Sequence, residues 1–369
     1  MKKTLIALAV LAVSGSSFAQ SSVTISGVTD FAAAKVSGNT AGTTVTTNLG
    51  TASTSVIRFD LVEDLGGGMK AVGRYALDPR TLSNDSYTVA STAQAAQGFN
   101  TGLARDEAYV GLDTNMGNIK LGSPNSIGLT SYLGASALGT GIGSGYAPFT
   151  GTMTMWMSNI RYNRSVRYDS PTMNGFTVSA LYAPGNDTNY AGLQANAIPN
   201  ARAVTELGLR YVNGPLNVSF VNISQAAQTF NGGWADALLN NGTTIAGSPK
   251  SSVNILNAAY KIGATTLMAG WNDGDALAQN AGAARPTNGS RFAIRQDIGA
   301  VALIAQYTAQ ERSGVKANVM GLRADYNMSK RTVAYVGYED WDTGAALAAA
   351  TNLTSGTRKL ASVGVRHSF

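Results

Sequence analysis

Side chains along this chain alternate with a period of two, in segment after segment. Arg202, Val204, Glu206, Gly208 and Arg210 share one face of a run whose other face carries Ala203, Thr205, Leu207, Leu209 and Tyr211. From Phe176 to Ala183, Phe176, Val178, Ala180 and Tyr182 alternate with Thr177, Ser179, Leu181 and Ala183. Successive side chains of a strand point to opposite faces, so each run reads as a strand with one greasier and one wetter side. A soluble sandwich shows the same alternation. The junctions between runs separate the two possibilities.

Some junctions are very short: Asp64-Leu65-Gly66-Gly67-Gly68, Asn115-Met116-Gly117, Asn174-Gly175, Asn213-Gly214, Ile262-Gly263 and Asn327-Met328-Ser329-Lys330. Asn and Gly supply the positive φ of tight hairpins. The alternate junctions are long and polar: 36–52, 79–102, 124–158, 185–201, 226–250, 273–289 and 341–356. Short turns at one end and long loops at the other is the layout of a transmembrane barrel, with the short end periplasmic. The runs 22–33, 54–63, 69–78, 104–113, 118–123, 159–169, 176–184, 202–212, 215–224, 251–261, 264–272, 290–297, 300–310, 316–326, 331–340 and 357–369 number sixteen. An even number suits closure of an antiparallel bacterial barrel, and about sixteen strands leave an aqueous lumen. The predicted fold is all-β, a transmembrane antiparallel 16-stranded β-barrel.

Export is the second constraint. Met1-Lys2-Lys3, the apolar stretch Thr4 to Val13 and the small residues Ser17 and Ala19 read as a signal peptide over 1–19, leaving 20–369 as the barrel. Ten apolar residues are too few for a spanning helix, which needs ~20, and no later run is long enough. Only 13% of the residues are charged, against roughly 25% in soluble domains. Mean hydropathy is near zero. A helical membrane protein would raise it strongly.

The residue inventory excludes several chemistries. There is no cysteine, so no disulfide, zinc-thiolate site or cysteine nucleophile. The one histidine, His367, stands near the C-terminus, which removes His-based triads and His-rich metal sites elsewhere. The formal net charge of +6 loses Lys2 and Lys3 with the leader, and no basic cluster with interleaved aromatics suggests nucleic acid. No cofactor or metal is expected.

With these elements in place, the chain resembles the Gram-negative general porins of the beta-proteobacterial type. The resemblance is carried by SSVTISGVTDFAAA (21–34), EDLGGGMKAV (63–72), EAYVGL (107–112), MGNIKLG (116–122), RSVRYDSPTMNGF (164–176), DYNMSKRTVAY (325–335) and VGVRHSF (363–369), in order along the chain. It implies a homotrimer in the outer membrane, surrounded by lipid and lipopolysaccharide. It implies a third loop folded inward to narrow the pore, and passive diffusion of ions and small hydrophilic solutes without a cofactor. The terminal Phe369 matches the aromatic that the barrel assembly machinery reads.

In such a pore the functional residues are lumenal charges at the narrowest point. Charges facing lipid cost ~2–4 kcal/mol at the midplane, so strand charges should point inward. Ile57, Phe59 and Leu61 read as outward on the second strand, which turns Arg58 and Asp60 inward. On the third, Lys70, Arg74 and Asp78 face in. On the sixth, Ile160, Tyr162, Val166 and Tyr168 read as outward, and Arg161, Asn163, Arg167 and Asp169 as inward. By resemblance Arg161 matches the family's sixth-strand constriction arginine. Val56 and Asp106 stand where the family commonly has arginines; Arg58 lies on the face of the first, and Arg105 adjoins the second. Strict alternation puts Arg164 outward, at a subunit contact or the rim, unless the register slips by one residue there.

From Leu121 to Ile160 there is no Asp, Glu, Lys or Arg. Ala147-Pro148-Phe149-Thr150-Gly151 stands where the family often has an acidic stretch. The expectation is a neutral loop, Pro148 and Phe149 included, with the field set by the facing wall. The arginines Arg58, Arg74, Arg161 and Arg167 against Asp60, Asp106 and Asp169 predict a weak preference for anions. Three rivals remain open at this point: a substrate-specific channel, needing aromatics or a charge ladder along the lumen, a barrel enzyme, and an adhesin or structural barrel, supported only by the long loops. Adjacent acids such as Asp106 and Glu107 would point to opposite faces and make no dyad.

Overall fold

The computed structural model describes residues 21–38, 46–50, 53–77, 106–145, 160–185, 203–226, 250–276, 285–312, 315–343 and 356–369. The expected leader 1–19 lies outside them, as do Asp78, Arg105, Pro148 and Phe149.

The strands are β1 (Ser22–Gly38), β2 (Thr46–Gly50), β3 (Val56–Gly66), β4 (Met69–Leu77), β5 (Ala108–Thr114), β6 (Gly117–Ser123), β7 (Ser165–Asp169), β8 (Phe176–Ala183) and β9 (Val204–Asn213). They continue with β10 (Leu216–Gln225), β11 (Ser251–Ile262), β12 (Thr265–Ala276), β13 (Arg285–Ile298), β14 (Val301–Arg312), β15 (Val315–Asn327), β16 (Thr332–Thr343) and β17 (Gly356–Ser368). One helix, α1 (Ile127–Leu133), lies between β6 and β7. Every strand pairs antiparallel with its neighbours. β17 returns to β1, with Val28 opposite Ser368 and Gly38 opposite Arg358. β2 faces residues 32–36 of β1 and β3 faces residues 22–28, so these two lie end to end as one stave. Seventeen strands therefore make a closed barrel of sixteen staves. Among the described residues every strand but β2 has a partner on both sides, the pairing that a membrane-spanning sheet requires.

The seam is finished by the last residue. Phe369 and Gly27 exchange backbone hydrogen bonds of 3.1 and 3.0 Å. The Phe369 ring lies over Gly27, where a Cβ would come within 2.5 Å of it. His367 sits at the same end, its Nδ1 2.9 Å from the Thr332 hydroxyl.

Outside the barrel, Val110, Leu112, Val178, Leu207, Leu209, Leu256, Tyr260, Trp271, Phe292, Ile294, Leu303, Tyr307 and Leu322 form an exposed apolar face. In water this would be an aggregation surface; around a barrel it is the lipid-facing band. The packed core lies inside the barrel instead. Ile127, Leu129 and Tyr132 of α1 are buried with Leu181, Val204, Val221, Ile223, Val253 and Ile255 of the inner wall. Each fully buried side chain of this kind contributes roughly 1.5–3 kcal/mol, enough to hold a neutral loop inside a water-filled lumen.

Some expected boundaries move. Residues 36–52 are not a continuous loop, since β1 runs to Gly38 and β2 occupies Thr46–Gly50. The sixth stave is short: β7 begins at Ser165, not at 159. Asn163 and Arg164 form a turn, and Arg164 adopts a left-handed φ of 57°. Alternation fails across that turn. Tyr162, read as outward, is 1% exposed in the inner core, and Ile160 packs against the same core.

Candidate functional site

Residues 125–145 leave the top of β6 and run along the inside of the barrel as a strap. At its root, Ser126 caps α1 by accepting from the Leu129 amide at 3.0 Å, the ordinary use of serine at a helix start. Two further first-turn amides, of Ile127 and Gly128, donate to Glu206 Oε2 on β9 at 2.6 and 3.2 Å. Glu206 is 0% exposed. A carboxylate there satisfies donors that the helix itself leaves unpaired.

The strap then meets stave after stave. Ser131 Oγ lies 2.7 Å from Ser219 Oγ on β10 and accepts from Asn257 Nδ2 on β11 at 2.8 Å. Arg291 on β13 stacks on the Tyr132 ring at 4.3 Å and donates to Asn257 Oδ1 at 2.9 Å. Gln306 on β14 accepts from Ser136 Oγ and donates to the Ser144 carbonyl, at 3.2 and 3.0 Å. Glu339 on β16 accepts from the Gly143 amide at 2.6 Å. Between these two contacts Gly143 lies directly on Gly321 of β15: a Cβ at Gly321 would sit 2.3 Å from the Gly143 oxygen. Thr140 Oγ1 finally reaches Thr54 Oγ1, 2.8 Å away, in the break between β2 and β3.

The strap thus lies on the inner wall from β8 round to β17 and β1, where Ile142 is buried with Leu360, Ala32 and Ala34. Among the described residues the apolar side chains of the strap pack away from the arc from β3 to β7, which carries the charges singled out from the sequence. Arg74 Nε donates to Asp60 at 2.6 Å, and Arg74 Nη1 to Glu107 at 2.8 Å. Glu107 Oε1 accepts from the Asn125 amide at the strap root, at 2.9 Å. Arg161 pairs with Asp106. Asp106 and Glu107 precede β5 rather than lying within it, so alternation does not separate them, and both side chains join this cluster. Arg58 makes no ion pair among the described residues.

Arg167 has a different task from the one expected. It is 8% exposed. It donates to the Asn125 carbonyl at 2.7 Å and to Asp169, which Lys120 also approaches at 3.6 Å. Its charge holds the strap root instead of standing free in the lumen. Sequence reasoning also passed over Glu107, Lys120, Arg295, Arg323, Arg366 and Glu206 as site residues. Arg295 on β13 pairs with Asp297, Arg323 on β15 with Asp325, and Arg366 on β17 lies 3.6 Å from Asp30. The alternation that placed Arg58 and Asp60 would have turned these inward as well.

A wide barrel narrowed by an internal strap and lined by facing charges is the architecture of a diffusion channel. A family model described as Gram-negative porin matches residues 4–346. The chain belongs to this porin family. The porin is 31% identical to outer membrane porin protein 32 of Delftia acidovorans over 347 residues, covering 91% of this chain and 88% of that protein. Its fold matches the anion-selective porin from Comamonas acidovorans with a TM-score of 0.70 at 22% identity, over 95% of this chain and 100% of that one. It matches in-vitro folded OmpT of Vibrio cholerae with a TM-score of 0.61 at 14% identity, over 95% and 98%. The porin resides in the Gram-negative outer membrane and passes ions and small solutes; it is a channel and not an enzyme.

Proposed function

We propose that this porin is a general diffusion pore with a weak preference for anions, and that solutes pass between the strap and the β3–β7 wall. Arg58, Asp60, Arg74, Asp106 and Arg161 then line the constriction, with Arg167 positioning the strap. The observation that carries the preference is Arg58. Arg74 is shared by two acids, Arg161 is matched by Asp106, and Arg167 and Lys120 gather on Asp169. Of the four arginines singled out on this wall, Arg58 is the one without an ion pair among the described residues, and it adds an unmatched positive charge there. A low-dielectric wall focuses such a charge into the lumen, and the described part of the strap, having no charged residue, does not oppose it. The anion-selective porin among the solved relatives supports the same reading. The inner aromatics Tyr132, Tyr162 and Tyr335 are covered by arginine or by the strap rather than bare to solute, which weighs against a stacking site for one substrate.

In the same reading residues 1–19 are a leader removed on export, and Phe369 engages the assembly machinery before it settles on Gly27. Three copies associate in a membrane of lipid and lipopolysaccharide. The preference is tested by the reversal potential across a potassium chloride gradient. It should lie on the chloride side of zero, and Arg58→Ala should move it toward zero. A potential on the potassium side would mean that Asp60 and Asp106 dominate and would overturn the anion preference.

A further inference from the structure

Arg-x-Asp occurs four times in the chain: Arg58-Phe59-Asp60, Arg167-Tyr168-Asp169, Arg295-Gln296-Asp297 and Arg323-Ala324-Asp325. The four fall on β3, β7, β13 and β15. Each of these strands runs into a turn at the short-turn end, so all four run toward the periplasm. Residues two apart share a face. Asp60 and Arg74, Arg167 and Asp169, Arg295, Asp297, Arg323 and Asp325 are joined in ion pairs on the inner wall. Arginine therefore stands on the extracellular side of its aspartate four times, offset by about 7 Å along the strand.

We infer that these steps make the pore a rectifier, passing more current at one polarity than at the other. Each step is a dipole with its positive end toward the cell exterior; the β7 step is largely covered, Arg167 being buried at the strap root, so the β3, β13 and β15 steps are the ones that face the solution. An anion entering from outside meets guanidinium first; a cation entering from the periplasm meets carboxylate first. One polarity, periplasmic side positive, drives anions inward and cations outward. At that polarity both ions enter through the end that attracts them, and both accumulate between the two charged levels. The opposite polarity draws each ion in through the end that repels it and depletes the same region. The inference needs only an open pore and is independent of any net anion preference.

Other lumenal charges bear on the size of the effect. Lys70 is set in register between Asp64 and Asp113, so it adds little positive potential at the periplasmic mouth. Arg366 at that end faces the buried Asp30. Arg210 and Lys261, near the periplasmic ends of β9 and β11, oppose the pattern, but they lie on staves without an Arg-x-Asp step. On β7, β13 and β15 the arginine and aspartate of a step pair with each other, and on β3 Asp60 pairs with Arg74, so the field is short in reach. It extends across the lumen at low salt, where the screening length is ~10 Å, and collapses in 1 M salt, where it is ~3 Å.

The test is a current–voltage curve of single channels in low and high potassium chloride, with sidedness fixed. The chain has no cysteine, so Met328→Cys, 61% exposed on the β15–β16 turn, marks the periplasmic mouth. A bulky, membrane-impermeant thiol reagent should lower the current only from the chamber that holds that mouth. At about 0.1 M salt the current with the periplasmic side positive should exceed the reverse current by about 1.3-fold or more, and the ratio should approach one in 1 M. Exchanging the charges on two strands (Arg295→Asp with Asp297→Arg, and Arg323→Asp with Asp325→Arg) keeps the net charge and should bring the ratio to one or below. If that protein does not fold, Asp297→Asn with Asp325→Asn should lower the ratio in the same direction. A symmetric curve in low salt, larger current at the opposite polarity, or a ratio unmoved by the folded variants would overturn the inference.

Discussion

Replacing Gly321 by valine is expected to lower single-channel conductance and to raise open-channel noise. The strap lies against the wall at this position with no room between the two backbones: a Cβ on Gly321 would meet the Gly143 oxygen at 2.3 Å and its Cα at 2.5 Å. Gly143 cannot turn away freely, because its φ of 85° already belongs to the left-handed region and its amide is held by Glu339. The wall is fixed by ladder hydrogen bonds to β14 and β16, so the strap is the partner that moves, and it moves into the lumen. Overpacking of this kind costs ~1–3 kcal/mol, which is comparable with the contribution of the hydrogen bonds holding the strap's far end. Gly337→Ala is the control. Its Cβ would meet only the rotatable Ser362 hydroxyl, at 2.9 Å, and conductance should stay near the native value. A Gly321→Val channel with native conductance and noise would show that the strap does not rest on β15.

The second large effect is expected at the root. Glu206→Leu keeps the apolar volume of the inner core but leaves the Ile127 and Gly128 amides without their acceptor. Each stranded buried donor costs about 1–3 kcal/mol, so α1 should detach from the wall in a substantial fraction of molecules. The readouts are faster cleavage of the strap by a protease added to the folded barrel, and a conductance that switches among several levels. Glu206→Gln retains an oxygen that can accept, and should fall between the two. Equal cleavage rates for native protein and Glu206→Leu would mean that the apolar contacts of Ile127, Leu129 and Tyr132 hold α1 alone.

Most of the barrel was legible in the sequence because two local rules agreed. Alternation marks the strands, and Asn-Gly or Gly-rich pairs mark the periplasmic turns, so the count of sixteen staves survives in the structure. The exceptions have physical causes. Thr46–Gly50 sits in a Thr- and Gly-rich stretch with no hydrophobic alternation, so its pairing with β1 could not be seen locally. Tyr162 was turned the wrong way because the left-handed residue Arg164 interrupts the face pattern between it and Val166. Asp106 and Glu107 were separated by a strand rule that does not reach them, since β5 begins at Ala108.

The site divides in a similar way. The cost of a charged side chain on the lipid face assigned Arg58, Asp60, Arg74 and Arg161 to the inner wall, and Asp60 and Arg74 join Glu107 at the strap root. The strap's seat was not visible, because it is made of contacts far apart in sequence. Glu206, Gln306, Gly321 and Glu339 stand on four different staves and act together only after the barrel closes around residues 125–145. Arg167 illustrates the limit well: its inward direction was legible, and its hydrogen bond to the Asn125 carbonyl was not.

The proposed pore needs a strap that crosses the lumen to the break between β2 and β3 and a passage beside the β3–β7 wall. Thr54 and Thr140 mark that crossing, their hydroxyls 2.8 Å apart. The chain has no cysteine of its own, so Thr54→Cys with Thr140→Cys places the only two thiols at this contact, close enough for a disulfide. The measurement is single-channel conductance before and after oxidation, with the bond followed by gel mobility. The bond is expected to form and the channel to go on conducting at its native level, because the bond fixes the strap where it already lies. Failure of the bond to form in a folded barrel, or a bond that closes the pore, would contradict the proposed pore.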